Sequence, residues 1–230
     1  MGTNLFRDQL VRELTVYYNE VGVNHYSFHC PHKDKCPGEN LSRGMECHIG
    51  RKYGMKKKIL VSSLDSGGGG GDDIKGRTDS VYKKHDNLHM RGTLNCVKQL
   101  LDLSTSEEAL DYMAMTNACK CCRPKPETKH LPWKYYEHCK EYKIAEYDYL
   151  KPDIILFQGK RNLSLRGCEQ YLKPTPLDYL YIYDDGKIMC YGIECIHPSA
   201  RGKHAQRRKF FYEQTFPKIV EYIKEQWKKD

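Results

Sequence analysis

The sequence predicts an α/β protein with a central, mostly parallel sheet, and three observations carry that prediction. Apolar runs of strand length recur along the 230 residues. Stretches with helical spacing of apolar residues alternate with them, which suits a parallel sheet covered on both faces. No repeat and no linker interrupts the alternation. A single domain is therefore expected over residues 1–230, opening with a helix and a cysteine-containing segment over 1–56.

In chain order, Thr3 is placed to cap a first helix whose apolar stripe is Leu5, Phe6, Leu10, Leu14, Val16 and Tyr17. From His25 to Lys56 the chain is polar and rich in Cys, Pro, Gly and His, with no usable period, so a metal clip or an ordered loop must organise it. Ile59 to Val61 reads as a buried strand, and Leu94 to Leu103 as a helix through Leu94, Val97, Leu100 and Leu101. Ala114 to Ala118 reads as a short strand end, Asp153 to Phe157 as a fully buried strand and Lys187 to Ile196 as another. From Ala205 onward, Phe210, Phe211, Phe216, Ile219, Val220, Ile223 and Trp227 predict a long amphipathic helix. Sites in such sheets collect at the carboxyl ends of strands, where Asp65, Asn117, Gly159 and His197 fall.

Composition narrows the function classes. The formal net charge is +8, and the stretch KHAQRRK, Lys203 to Lys209, gathers four cations and a histidine. That concentration favours a polyanion, most simply nucleic acid. No run approaches the roughly 18 apolar residues of a membrane span, and no signal-peptide core opens the chain. No membrane role is expected, and a cytoplasmic location is. Eleven cysteines in an α/β pattern do not resemble a disulfide scaffold, so some are expected to hold a metal or cluster. Cys96, Cys168, Cys190 and Cys195 lie in apolar contexts and read as small core residues.

Three stretches are candidates for chemistry. In LVSSLDSGGGGGDD an apolar run ends in Asp65 and is followed by five glycines. A phosphate-cradling loop would continue with Lys and then Ser or Thr. Here Asp72, Asp73 and Ile74 follow, two carboxylates would repel phosphate, and no nucleotide cofactor is expected. Cys30 and Cys36, then Cys119, Cys121 and Cys122, then Cys139 could close a four-thiolate site for zinc or an iron–sulfur cluster, which spacing alone does not separate. In CIHPSARGKH, a histidine and proline after a strand, then small residues and cations, suit a loop entering a nucleic-acid groove.

Cys30 with Cys36, LVSSLDSGG, TNACKC, Cys139, DIILFQG and HPS follow one another in the order found in the iron–sulfur class of the uracil-DNA glycosylase superfamily, which this chain resembles over nearly its whole length. The resemblance implies a three-layer αβα sandwich and a monomeric, monofunctional glycosylase acting on DNA with a modified or damaged base. It implies that Cys30, Cys36, Cys121 and Cys139 hold a structural [4Fe–4S] cluster. Cys122 rivals Cys121, Cys47 rivals Cys36, and zinc is the alternative metal. Asn117 matches the asparagine that faces the flipped base, and His197 the histidine that hydrogen-bonds the base as it leaves. NLHMRGTL resembles the segment carrying a stacking aromatic, with His89 nearest that role. Ser66 and Gly67, in the first motif, would border the base. Arg201 and Lys203 would wedge or grip DNA, and Arg207, Arg208 and Lys209 would contact phosphates.

Breaking an N-glycosidic bond builds positive charge on the sugar and negative charge on the base. Asp65 is expected to orient water, and a neutral His197 to donate to the departing base. The first motif departs from the Gly-Glu-x-Pro-Gly of the iron–sulfur uracil enzymes, since Ser62, Ser63, Leu64, Asp65 and Ser66 stand there. An aspartate in that loop is instead similar to the archetypal uracil enzymes. With glycines removing bulk beside the pocket, the expected base is larger than uracil, such as glucosylated hydroxymethylcytosine of phage DNA in antiphage defence. A mobile glycine loop touching the DNA backbone is the alternative explanation of the glycines. Uracil repair and a catalytically inactive DNA-binding module are the alternative functions.

Overall fold

Local sequence explains where the elements begin and end. Asn4 caps the first helix, α1 (Leu5–Glu20), its side chain accepting from the Arg7 amide. The expected cap Thr3 lies outside the described residues. The computed structural model describes residues 4–26, 30–36, 44–64, 72–83, 85–121, 133–159 and 165–229. Helices α2 (Ile74–Lys83), α3 (Leu88–Leu101) and α4 (Ser106–Tyr112) follow the first long strand. Asn87 caps α3 through the Met90 amide, and Asp102 ends it in the left-handed conformation. Thr105 and Glu108 form a capping box on α4. Helices α5 (Trp133–His138) and α6 (Lys140–Leu150) come next, and α7 (Ala205–Phe210) and α8 (Phe216–Trp227) close the chain.

The strands are β1 (His48–Ile49), β2 (Ile59–Ser63), β3 (Met113–Asn117), β4 (Ile154–Gly159), β5 (Leu172–Pro174), β6 (Leu180–Asp184) and β7 (Met189–Ile196). They form one seven-stranded mixed sheet in the order β1-β3-β2-β4-β7-β6-β5. The central β3, β2, β4 and β7 are parallel, while β1, β6 and β5 pair antiparallel at the edges. The protein is thus α/β with a sheet parallel at its centre. Every residue of β2, β3 and β4 is buried, the signature of strands covered on both faces.

Alternation sorts the core. Ile59, Val61, Met113, Met115, Ile154, Leu156, Ile193 and Cys195 pack with α3, α4 and α8. Leu60, Ala114, Ile155 and Phe157 pack on the other face with α1 and α6. Cys96, Cys168, Cys190 and Cys195 are all buried in these clusters, as expected of core residues. The last helix is not continuous: Phe211–Thr215 forms a π turn between α7 and α8. Its extra residue turns Phe210 to solvent while Phe211 stays buried, so Phe210 leaves the predicted stripe. Among the described residues no helix is long and apolar enough to cross a membrane.

The strand order reverses around β2. The chain passes from β2 to β3 on one side and later returns to β4 on the other. Ligand crevices in open α/β sheets form outside the carboxyl ends of strands at such a reversal. That end is where the site residues gather.

Candidate functional site

Ser63 ends β2, Asn117 ends β3, and Gln158 is the penultimate residue of β4. Ser63 and Asn117 are register partners, and Gln158 lies one residue beyond the Ser62–Phe157 pairing. By alternation all three side chains lie on the α3 side of the sheet, and the Thr93 hydroxyl of α3 meets Gln158 Oε1 at 2.9 Å. Each is buried, yet among the described residues Ser63 Oγ, Asn117 Oδ1 and Gln158 Nε2 have no hydrogen-bond partner. His89 Nδ1, from the first turn of α3, is in the same condition. An unsatisfied buried polar atom costs about 1–3 kcal/mol. In a native fold such atoms are met by ordered water, an ion, a ligand or a neighbouring segment.

His197 follows β7 on the same side. The Ser199 amide donates to its Nδ1 at 3.2 Å, and the Ser199 hydroxyl lies 2.9 Å from the same atom. An Nδ1 that accepts an N–H leaves the proton of a neutral ring on Nε2. The His197 ring lies 4.9 Å from that of His89, tilted by 34°. Burial, then the neighbouring His197 and Arg77, pushes His89 down to about 4, so it is neutral at pH 7. The expected stacking candidate and the expected donor are therefore neighbours.

The loop bearing His197 is held from two sides. Gly92 of α3 meets Pro198 so closely that a Cβ there would stand 2.5 Å from the proline Cβ. Arg208 donates to the carbonyls of Ala200 at 2.9 Å and Pro198 at 3.4 Å, and the Tyr212 hydroxyl donates to that of Ile196. Arg208 and Tyr212 are one helical turn apart, so one helix face clamps the whole loop. Arg201, Lys203, Arg207 and Lys209 are exposed, whereas Arg208 is half-buried and turned inward. Arg207 also donates to the Tyr179 hydroxyl at 3.0 Å. Asp65, Ser66 and Gly67 lie outside the described residues; Leu64, just before them, packs against Gly159 at the end of β4.

The thiols gather behind β3. Cys30, Cys121 and Cys139 pack with Cys119, Tyr135, Tyr136 and Tyr142, and Cys36 borders them. Cys119 Sγ is 3.2 Å from Cys121 Sγ, and the Lys120 amide donates to Cys139 Sγ at 3.5 Å. Cys36 Sγ lies 3.1 Å from His138 Nδ1, whose ring stacks on His32. Burial and then the nearby Cys121, Cys139 and Cys30 thiols push Cys36 up to about 12. Cys47, the rival of Cys36, sits elsewhere, against Tyr18 in the core under α1; Cys122 lies outside the described residues. Among the described residues no three His, Cys, Asp or Glu side chains are placed to hold a metal ion. A four-iron cluster is wider than one ion, whose thiolates at about 2.3 Å from the metal must nearly touch. The chemistry of the donor set, the five thiols of Cys30, Cys36, Cys119, Cys121 and Cys139 gathered among tyrosines, suits such a cluster.

Beside the thiols, Lys120 and Glu146 are fully buried and ion-paired, with Thr116 and Tyr18 bonded to the same carboxylate. This network fixes the backbone between Asn117 and Cys121. Sequence reasoning singled out neither this pair nor Ser63, Gln158 or the Arg208–Tyr212 clamp. Gln158 carried a legible signal, being a polar residue directly after the apolar run of DIILF. Compared with known proteins, the chain matches no family model and no curated protein.

Proposed function

We propose that this protein is a monofunctional DNA glycosylase of the uracil-DNA glycosylase type, with the carboxyl ends of β2, β3, β4 and β7 as its base pocket. Helices on both faces of a sheet parallel at its centre support reading the fold as that superfamily's three-layer sandwich. The observation that carries the function is the row of buried polar atoms that find no partner among the described residues, beside a His197 whose Nδ1 accepts from the Ser199 amide. A flipped base would supply the missing partners. Asn117 would accept from the base, and His197 Nε2 would donate to it as it departs with the electron pair of the C1′–N bond. Water adds through its oxygen to C1′, and its proton passes by way of Asp65 to solvent or base. Exposed Arg201, Lys203, Arg207 and Lys209 would meet phosphates.

Cys30, Cys36, Cys121 and Cys139 would hold a [4Fe–4S] cluster, which supplies structure rather than chemistry to the reaction. A bulky modified cytosine of phage DNA remains the leading substrate, with uracil the other candidate. The test is abasic-site formation across duplexes carrying uracil, hydroxymethylcytosine and its glucosylated forms. Wild-type protein is expected to leave abasic sites in at least one, and Asp65→Ala and His197→Ala to lose that activity by a factor of about 100 or more. Unchanged DNA binding without abasic sites in any duplex would reduce the protein to a binding module. Visible absorption of the purified protein, which zinc does not give, reports the cluster independently.

A further inference from the structure

Resting on the glycosylase reading, we infer that Gln158 is a specificity-determining residue that donates, beside His197, to the 2-oxo oxygen of the base, so that the substrates are oxopyrimidines and not adenine-type bases. Gln158 is fully buried, and its two amide ends are in different circumstances. The Thr93 hydroxyl, whose single proton is shared with the His89 carbonyl at 3.0 Å, meets Oε1 at 2.9 Å. With the oxygen end turned to Thr93, the Nε2 end is left buried with no partner among the described residues. Such a donor is tolerated where a ligand brings the acceptor.

Register places that donor beside His197. Gln158 pairs with Cys195, and His197 follows two residues beyond, its ring 4.9 Å from that of His89 on α3, the helix whose Thr93 hydroxyl meets Gln158. Both side chains therefore border the same edge of α3. Two adjacent N–H donors suit an atom with two lone pairs. The 2-oxo oxygen of a pyrimidine is such an atom, and it gains charge as the glycosidic bond breaks. Adenine presents only ring nitrogens with one lone pair each. Across Ser63, Asn117 Oδ1, which has no partner among the described residues, leaves an acceptor for an N–H on the opposite edge of the ring.

The experiment compares wild type, Gln158→Leu and Gln158→Glu on the best pyrimidine substrate, on its 2-thio counterpart and on adenine-type bases. Gln158→Leu is expected to lower kcat/KM about 10- to 100-fold on the oxo base and far less on the thio base, whose sulfur accepts weakly. Gln158→Glu, assayed at a pH where its carboxyl is ionised and cannot donate, is expected to fall as far as Gln158→Leu. Thr93→Val keeps the glutamine but frees its amide to turn, and should lose part of the oxo-over-thio preference even if the other two variants fold poorly. Wild-type rates in Gln158→Leu, retained activity in Gln158→Glu, an unmoved preference in Thr93→Val, or excision of adenine-type bases at comparable rates would each overturn the inference while leaving the glycosylase reading intact. Absence of abasic sites with every base tested on wild type would remove that reading, and this one with it.

Discussion

Arg208 shows how a residue's company decides its job. In the sequence it is one of three adjacent cations, Arg207, Arg208 and Lys209, expected to meet phosphate. In the fold its guanidinium bonds the carbonyls of Pro198 and Ala200, and with Tyr212 it fixes the loop that aims His197. Replacing Arg208 with Met is therefore expected to slow turnover roughly tenfold by loosening that loop, since small misplacements of reacting groups are costly. The salt dependence of DNA affinity should stay unchanged. Arg207→Gln and Lys209→Gln should act oppositely, each lowering the slope of log affinity against log salt by about one while sparing turnover. Binding isotherms at several salt concentrations separate the two behaviours. An Arg208→Met slope reduced like the others would make it a phosphate contact after all.

Among elements, α3 does most to shape the site, because it brings His89, Gly92 and Thr93 to the same edge. Gly92→Ala would by helix propensity alone stabilise α3 by about 1 kcal/mol. The Cβ it adds meets the stiff Pro198 ring at 2.5 Å, so α3 and the His197 loop must separate. The expected result is a melting temperature no higher than wild type and a fall in turnover of about tenfold or more; a stabilised, fully active variant would contradict the close approach. Periodicity made α1, the second half of α3, β2, β3, β4, β7 and the last helix legible, because each carries an apolar pattern of its own. The edge strands β5 and β6 were not legible: their exposure is mixed, and their pairing depends on turns, the one from β5 to β6 holding Tyr179 at φ +67° and the one from β6 to β7 holding Gly186 at φ +85°. Asn117 and His197 could be read from short motifs. Ser63 and Thr93 could not, since a lone Ser or Thr acquires meaning only from register. The π turn has no signature beyond two adjacent phenylalanines.

At the scale of the whole molecule, the sheet buries polar groups that make its stability depend on pH. His48 is fully buried, 3.3 Å from both Thr78 Oγ1 and the Leu110 carbonyl, and burial pushes it down to about 3. Its unfolded value is near 6.5, so between these limits the unfolded chain binds a proton that the native protein does not. This contribution is complete above pH 6.5 and declines as the pH falls, by about 2 kcal/mol at pH 5. His89 adds in the same sense. Urea midpoints at pH 7.5 and 5 should fall further for wild type than for His48→Gln, and equal losses would contradict the assignment. The same sheet carries the central claim, that one crevice at the carboxyl ends of β2, β3, β4 and β7 receives a nucleobase. The most direct measurement is an experimental structure of the protein with a duplex whose target nucleotide resists hydrolysis through a 2′-fluoro group. The account predicts the base turned out of the helix with Asn117 Oδ1 and His197 within hydrogen-bonding distance of its edge. DNA bound on another face, or a target base still stacked in its duplex, would contradict it.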